Sequence, residues 1–173
     1  MYAKTYMQRL DGMELTSSNI RYYATNSKGE ITELILNNAT GDAYVYGIVT
    51  KGYDSDRGGA TVQADNSSYS VANTSLAYAC GAKLAIDGMN VVNSYNLKSY
   101  SISKGNLTTA EAYSGSNTYR LSDKVAVYYK NSAGIMQISL SDAVNGNYRY
   151  NCYYDKSEDK GGRIRVIVAE DVK

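Results

Sequence analysis

The two ends of this chain resemble each other, and that likeness constrains its fold more than any other feature. Ile20 to Gly29, reading IRYYATNSKG, lies over Val125 to Gly134, reading VAVYYKNSAG. The correspondence continues with Ile31, Leu34 and Leu36 against Ile135, Ile138 and Leu140, then Gly41 against Gly146, and Tyr44-Val45-Tyr46 against Tyr148-Arg149-Tyr150. Each copy closes in an acidic Gly-Gly loop, Tyr53 to Gly59 and Tyr154 to Gly162, followed by a β-prone run. Two Tyr-rich hairpins sharing turn chemistry by chance is the plainer alternative. The duplication predicts a strand-turn-strand unit at about 20–59 and again at 125–162, flanking a central β region at 60–118. Two units are too few for a solenoid, so they are expected to pair within one barrel or sandwich.

Local patterns agree with an all-β chain: a small barrel or barrel-like lobes of short antiparallel strands, forming a single β module over 1–173. Tyr-rich and β-branched runs separated by turn residues predict strands at 19–24, 31–36, 43–50, 60–64, 68–72, 83–86, 91–95 and 119–129. Asn26-Ser27-Lys28-Gly29 reads as a turn, and Asp87-Gly88 as the centre of a type I′ turn. The last run, Arg163-Ile164-Arg165-Val166-Ile167-Val168, begins as a charged alternation, which predicts a strand entering the core from an exposed edge. Helical periodicity is confined to a short candidate at Leu107 to Tyr113.

Composition removes several chemistries. All 19 aromatic residues are Tyr, and the chain has no His, Phe, Trp or Pro. Without His there is no Ser-His-Asp or Cys-His nucleophile system and no His-ligated zinc or haem. Eighteen basic and 17 acidic residues, unclustered, disfavour nucleic acid or a membrane-adhering basic face as partners. The apolar runs are too short for direct membrane insertion by a helix. The start, Met1 to Tyr6, has no apolar core, so the protein is either intracellular or a module from a longer exported chain. Cys80 and Cys152 match no metal spacing and are expected as unpaired thiols, with a disulfide as the alternative.

Four patterns have the outline of a site. Asp54-Ser55-Asp56 with Gly58-Gly59 has the outline of a calcium loop but lacks a following Glu and carries Arg57, so a solvated loop is expected. Ser101-Ile102-Ser103-Lys104 has the SxxK outline without a helix to bring Lys beside Ser. Asn38, Asn66, Asn73 and Asn106 each begin an Asn-x-Ser/Thr triplet. On a strand, Tyr148, Tyr150, Cys152 and Tyr154 share one face and Arg149, Asn151 and Tyr153 the other. Tyr as a core substitute for Phe is the plainer reading of such faces; Tyr69, Tyr78, Tyr100 and Tyr113, outside the repeat, are the first candidates for exposed contact surface. No catalytic, cofactor-binding or metal-ligating residue is singled out, and no cofactor is expected.

At IRYYATNSKGEITELILNNATGDAYVYGIV (20–49), TYRLSDKVAVYY (118–129) and YYDKSEDKGGRIRVIVA (153–169), the sequence resembles a module near the C-terminal end of large cell-surface proteins of Gram-positive anaerobes that carry S-layer homology domains. The resemblance implies export, anchoring by separate domains, and a β module with no catalytic residues to carry over. This chain lacks those anchoring domains and a signal peptide, which fits a piece of a longer protein. The expected function is a non-catalytic structural or adhesive module at the cell surface, with cell-wall glycan or another surface protein as partner. A carbohydrate-binding module using exposed Tyr and a carboxylate-type hydrolase are the alternatives.

Overall fold

The computed structural model describes Leu10 and residues 12–172. Thirteen strands lie within them: β1 (Ile20–Thr25), β2 (Ile31–Leu36), β3 (Val45–Asp54), β4 (Gly59–Ala64), β5 (Ser67–Val71), β6 (Gly81–Asp87), β7 (Asn90–Asn96), β8 (Lys98–Ile102), β9 (Glu111–Ser114), β10 (Asn117–Asn131), β11 (Gly134–Gln137), β12 (Tyr148–Tyr154) and β13 (Ile164–Asp171). One α-helix, α1 (Leu140–Asn145), separates β11 from β12. The fold is all-β, as the sequence predicts, with curled, half-barrel sheets. One sheet orders its strands β5-β4-β3-β6-β7, another β11-β10-β13-β12-β8 with β9 on β10, and β1-β2 forms a two-stranded ribbon. All pairings are antiparallel except β10 with β13.

Turn chemistry sets the hairpins. Asn26 Oδ1 accepts from the backbone N–H of Lys28 at 2.9 Å and of Glu30 at 3.0 Å, and this closes the β1-β2 loop. The type I′ turn lies between β4 and β5, where Asp65 and Asn66 have φ of 47° and 61°. The turn expected at Asp87-Gly88 is shifted by one residue. Asp87 pairs with Asn90, so Gly88 and Met89 are central, and only Gly88 of the two has a positive φ.

The long sheets pack back to back. Between them lie Ile48 of β3, Tyr128 of β10, Tyr153 of β12, and Val166 and Val168 of β13, all buried. Tyr128 Oη donates to the Gln63 carbonyl at 3.1 Å and Tyr153 Oη to that of Ala79 at 3.3 Å, so the two buried hydroxyls are satisfied across the junction. Gly81 permits this approach: a Cβ there would stand 2.6 Å from Tyr153 Cγ. Each sheet also has a core on its far face. Val49, Val62, Leu76 and Leu84 fill one; Val127, Tyr150, Cys152, Ile164 and Ile167 fill the other. Tyr150 Oη donates 2.7 Å to the carbonyl of Ala143, which fastens α1 over that second core.

Two expectations fail here. Leu107 to Tyr113 is not helical: Thr108 Oγ1 accepts from the N–H of Glu111 at 2.9 Å, a local turn that competes with a helix, and the chain continues as β9. β13 is not an edge. It lies between β10 and β12, with Arg163 7% and Arg165 3% exposed. Its apolar run reads as a central strand because both faces are covered, and its arginines are buried among acids contributed from elsewhere in the chain.

The two similar segments follow one order of elements. β1, β2, β3 and β4 correspond to the second half of β10, β11, β12 and β13, each set giving two antiparallel pairs. They differ in the seating of the first hairpin. β10 bonds to β13 along Ala126 to Tyr129, whereas the corresponding edge of β4 is taken by β5, and β1 pairs with β2 alone among the described residues.

Candidate functional site

The strongest electrostatic feature is centred on Arg165. Tyr153 pairs with Val166 but Tyr154 with Ile164, so Arg165 is an extra residue on β13, and such a bulge re-aims a side chain. Its Nη1 donates to Asp42 Oδ1 at 2.7 Å and Ser122 Oγ at 3.0 Å, and its Nη2 donates to the Thr40 carbonyl. The guanidinium carbon also lies 4.7 Å from the centre of the Tyr46 ring. Asp155, equally buried, places Oδ1 4.0 Å from Arg165 Nε, too far for a direct hydrogen bond. Its Oδ2 shares the Tyr46 hydroxyl hydrogen with the Gly41 carbonyl, at 3.0 and 2.9 Å. Burial, reinforced by Asp155 and opposed by Arg165, raises the Tyr46 pKa far above that of an ordinary tyrosine. Gly41 has φ +73°, and a Cβ there would lie 2.7 Å from Asp155 Oδ2 and 2.8 Å from Tyr46 Oη, so only glycine fits. Lys156 Nζ donates to the carbonyls of Asn38 and Ala39. The loop after β2 is thereby locked onto the β12-β13 connection, a structural use of charge.

Beyond Ser122 opens a cleft of about 500 Å3 lined by Thr109, Glu111, Arg120, Asp123, Leu140 and Arg163, among others. Glu158 lies 3.1 Å from Arg120 Nε and 3.7 Å from Arg163 Nη1. Two lining carboxylates, Glu111 and Asp123, share this cleft with the guanidinium groups of Arg120 and Arg163.

The four sequence patterns do not converge. Ser101 lies on β8 with its hydroxyl 2.6 Å from Asn151 Oδ1, and Lys104 follows in a turn, so no helical turn joins them. Asp54 is 3.5 Å from Arg57 and accepts the Asp56 N–H, and among the described residues no three acidic, Cys or His side chains group as a metal site. Cys80 and Cys152 are both free thiols, and burial pushes the Cys152 thiol up to about 12. Asn38 and Asn66, at the starts of two glycosylation triplets, occupy positive-φ turn positions.

Exposed aromatic surface falls elsewhere than expected. Tyr100 is inside, stacked on Tyr119 at 4.3 Å, and Tyr69 packs against a core, while Tyr78 and Tyr113 reach the surface. Among the described residues the most exposed rings are on the ribbon, within the repeat: Tyr22 at 49% and Tyr23 at 60%, beside Ile20 at 38% and Ile31 at 61%. Their counterparts Val127 and Tyr128 are 2% and 1% exposed. A second aromatic group joins the bend before β3 with β6 and β7, where Lys83 Nζ lies 4.4 Å from the centre of the Tyr44 ring and 5.0 Å from that of Tyr95. The sequence pattern carries no signal for this group, because its three members come from three separate segments, the bend before β3, β6 and β7. Comparison of this chain with known protein families, characterised proteins and solved structures finds no match.

Proposed function

We propose that this chain is a non-catalytic structural or adhesive module of a bacterial cell-surface protein, working outside the cell as part of a longer exported chain. The observation that carries the reading is the β1-β2 ribbon: the rings of Tyr22 and Tyr23 stand in solvent while their counterparts Val127 and Tyr128 are buried. Exposed apolar surface of this kind marks contact sites, and the paired arginines and acids of the interior serve to hold the ribbon's base. The resemblance to surface-protein modules supplies the setting.

The test is sedimentation of the purified protein with Gram-positive wall sacculi. Wild type is expected to co-sediment and release no soluble sugar or peptide, and Tyr22→Thr with Tyr23→Thr to raise the apparent dissociation constant about tenfold, equivalent to ~1.4 kcal/mol. Release of wall fragments, or binding indifferent to both substitutions, would overturn it. Carbohydrate binding is the second reading, favoured by Lys83 between Tyr44 and Tyr95, since ring faces stack on sugars and the ammonium suits an acidic one. An acidic-glycan array on which Tyr95→Ala binds like wild type would refute that version.

A further inference from the structure

The geometry points to a second binding site, formed by residues outside the ribbon: the cleft beside Ser122 takes a short peptide with both ends uncapped, its carboxylate on Arg120 and its ammonium on Asp123 and Glu111. This goes beyond the adhesive reading and does not depend on it.

An irregularity in β10 opens the cleft. β10 takes five residue steps from Leu121 to Ala126 while its parallel partner β13 takes two from Ile164 to Val166, so residues 122–125 bow out of register. Ser122 pins the excursion: its Oγ accepts the Lys124 N–H at 3.3 Å and Arg165 Nη1 at 3.0 Å. Ala110, just before β9, forms another part of the wall, its carbonyl accepting the Leu121 N–H at 2.8 Å. The space of about 500 Å3 is lined by Asp123 and Val125 of the bowed segment, by Leu140 of α1, and by Glu111 and Arg120, which face each other across the β9-β10 pair. That volume falls within the range of small-ligand pockets, about 300–1,000 Å3.

The charges of this cleft are half-paired. Glu158 holds Arg120 through Nε at 3.1 Å, and among the described residues no acceptor meets the two Nη groups. Arg120 does not bond to Glu111 opposite it; Glu111 Oε2 instead accepts the Tyr113 hydroxyl at 3.0 Å. The other Glu111 oxygen and the Asp123 carboxylate meet no donor among the described residues. Arg163 is already engaged, its Nη1 2.6 Å from the Gly162 carbonyl, and takes no part. A small anion or cation would meet like charge here as well as opposite charge, whereas a molecule carrying one ammonium and one carboxylate complements both. Arg120 and Asp123 lie three residues apart on β10, up to about 10 Å along a strand, which is the reach of two or three extended peptide residues and beyond that of one amino acid. Val125 and Leu140 give the peptide's side chains an apolar surface. Arg120 and Asp123 face solvent, so the binding is weak.

Titration of the isotope-labelled protein with trialanine at neutral pH, followed by amide chemical shifts, tests this. Wild type is expected to shift saturably at Glu111 and residues 120–125, half-saturated at about 1 mM, with N-acetyl-trialanine, trialanine amide and single alanine each binding about tenfold more weakly. Arg120→Gln should bind trialanine and its amide alike, and Asp123→Asn should narrow the preference for trialanine over its N-acetyl form, both with unchanged far-UV spectra. The absence of saturable shifts in wild type up to about 20 mM would overturn the inference, as would capped peptides binding as tightly as the uncapped one. An Arg120→Gln protein that keeps its full preference for the uncapped carboxylate would do the same, and alanine binding as tightly as trialanine would overturn the peptide assignment. The capped peptides on wild type decide the matter even if a variant misfolds.

Discussion

Replacing Arg165 with Met should destabilise the protein by about 3–5 kcal/mol, because it leaves buried acid without its cation. Asp155 has a side chain 3% exposed, and among the described residues its hydrogen-bond donor is the Tyr46 hydroxyl, so the remaining carboxylate would be held by a neutral donor. Asp42, 24% exposed, would lose a 2.7 Å charged bond but can turn to water, so most of the cost falls on Asp155. Met keeps the apolar volume against the Tyr46 ring, so the loss reports charge rather than a cavity. For a chain of this size the loss lowers the melting temperature by about 10 °C. Urea unfolding followed by far-UV circular dichroism measures it. Adding Asp155→Leu should recover much of the loss, because removing both members of a buried pair costs less than removing one. A single-variant loss below about 1 kcal/mol would refute the picture of a desolvated clamp, since solvated pairs are worth that little.

Other outcomes follow from the same packing. Burial pushes Tyr128 up to about 12 and Cys152 to about 12, with Tyr100 and Tyr153 raised as well. Groups with folded values above their unfolded ones give stability that is complete below about pH 9 to 10 and lost as pH rises toward 12; tyrosinate absorbance should show exposed rings titrating first and buried rings only with loss of the far-UV signal. Hydrogen bonds from Lys130 and Arg149, each 2.8 Å long, lower the Glu170 pKa, so its contribution is present above about pH 4.5 and lost on further acidification. Glu170→Gln should cost about 1 kcal/mol at pH 7 and flatten that acid limb in urea titrations. Gly81→Ala should cost about 1–3 kcal/mol by thermal melting, because its Cβ would meet Tyr153 Cγ at 2.6 Å where the sheets join.

Most strands are legible in the sequence because their Tyr and β-branched runs are interrupted by Gly, Asn and Asp turns. β8, Lys-Ser-Tyr-Ser-Ile, is not: it is short and polar, and becomes a strand by bonding to β12. α1 is hidden because its counterpart after β2 is irregular, although Ser139 and Asp142 carry a capping signal, with Ser139 Oγ accepting the Asp142 N–H at 3.0 Å. The burial of Arg163 and Arg165 is invisible locally. The charges that receive Arg165 come from Asp42 and Asp155, 123 residues away and ten residues away, the second across a 3-10 turn, and no period in the sequence relates them. The contrast between the two hairpins is hidden for the same reason. Their sequences agree, and only the presence of β5 on the β4 edge shows that one hairpin has no seat.

The central claim is that the rings of one hairpin are bare where the counterpart positions are buried, and nitration of tyrosines in the native protein, mapped by mass spectrometry, tests it most directly. The account predicts rapid modification of Tyr22 and Tyr23, with Tyr128 and Tyr150 modified only after unfolding. Protection of Tyr23 equal to that of Tyr128 would contradict it.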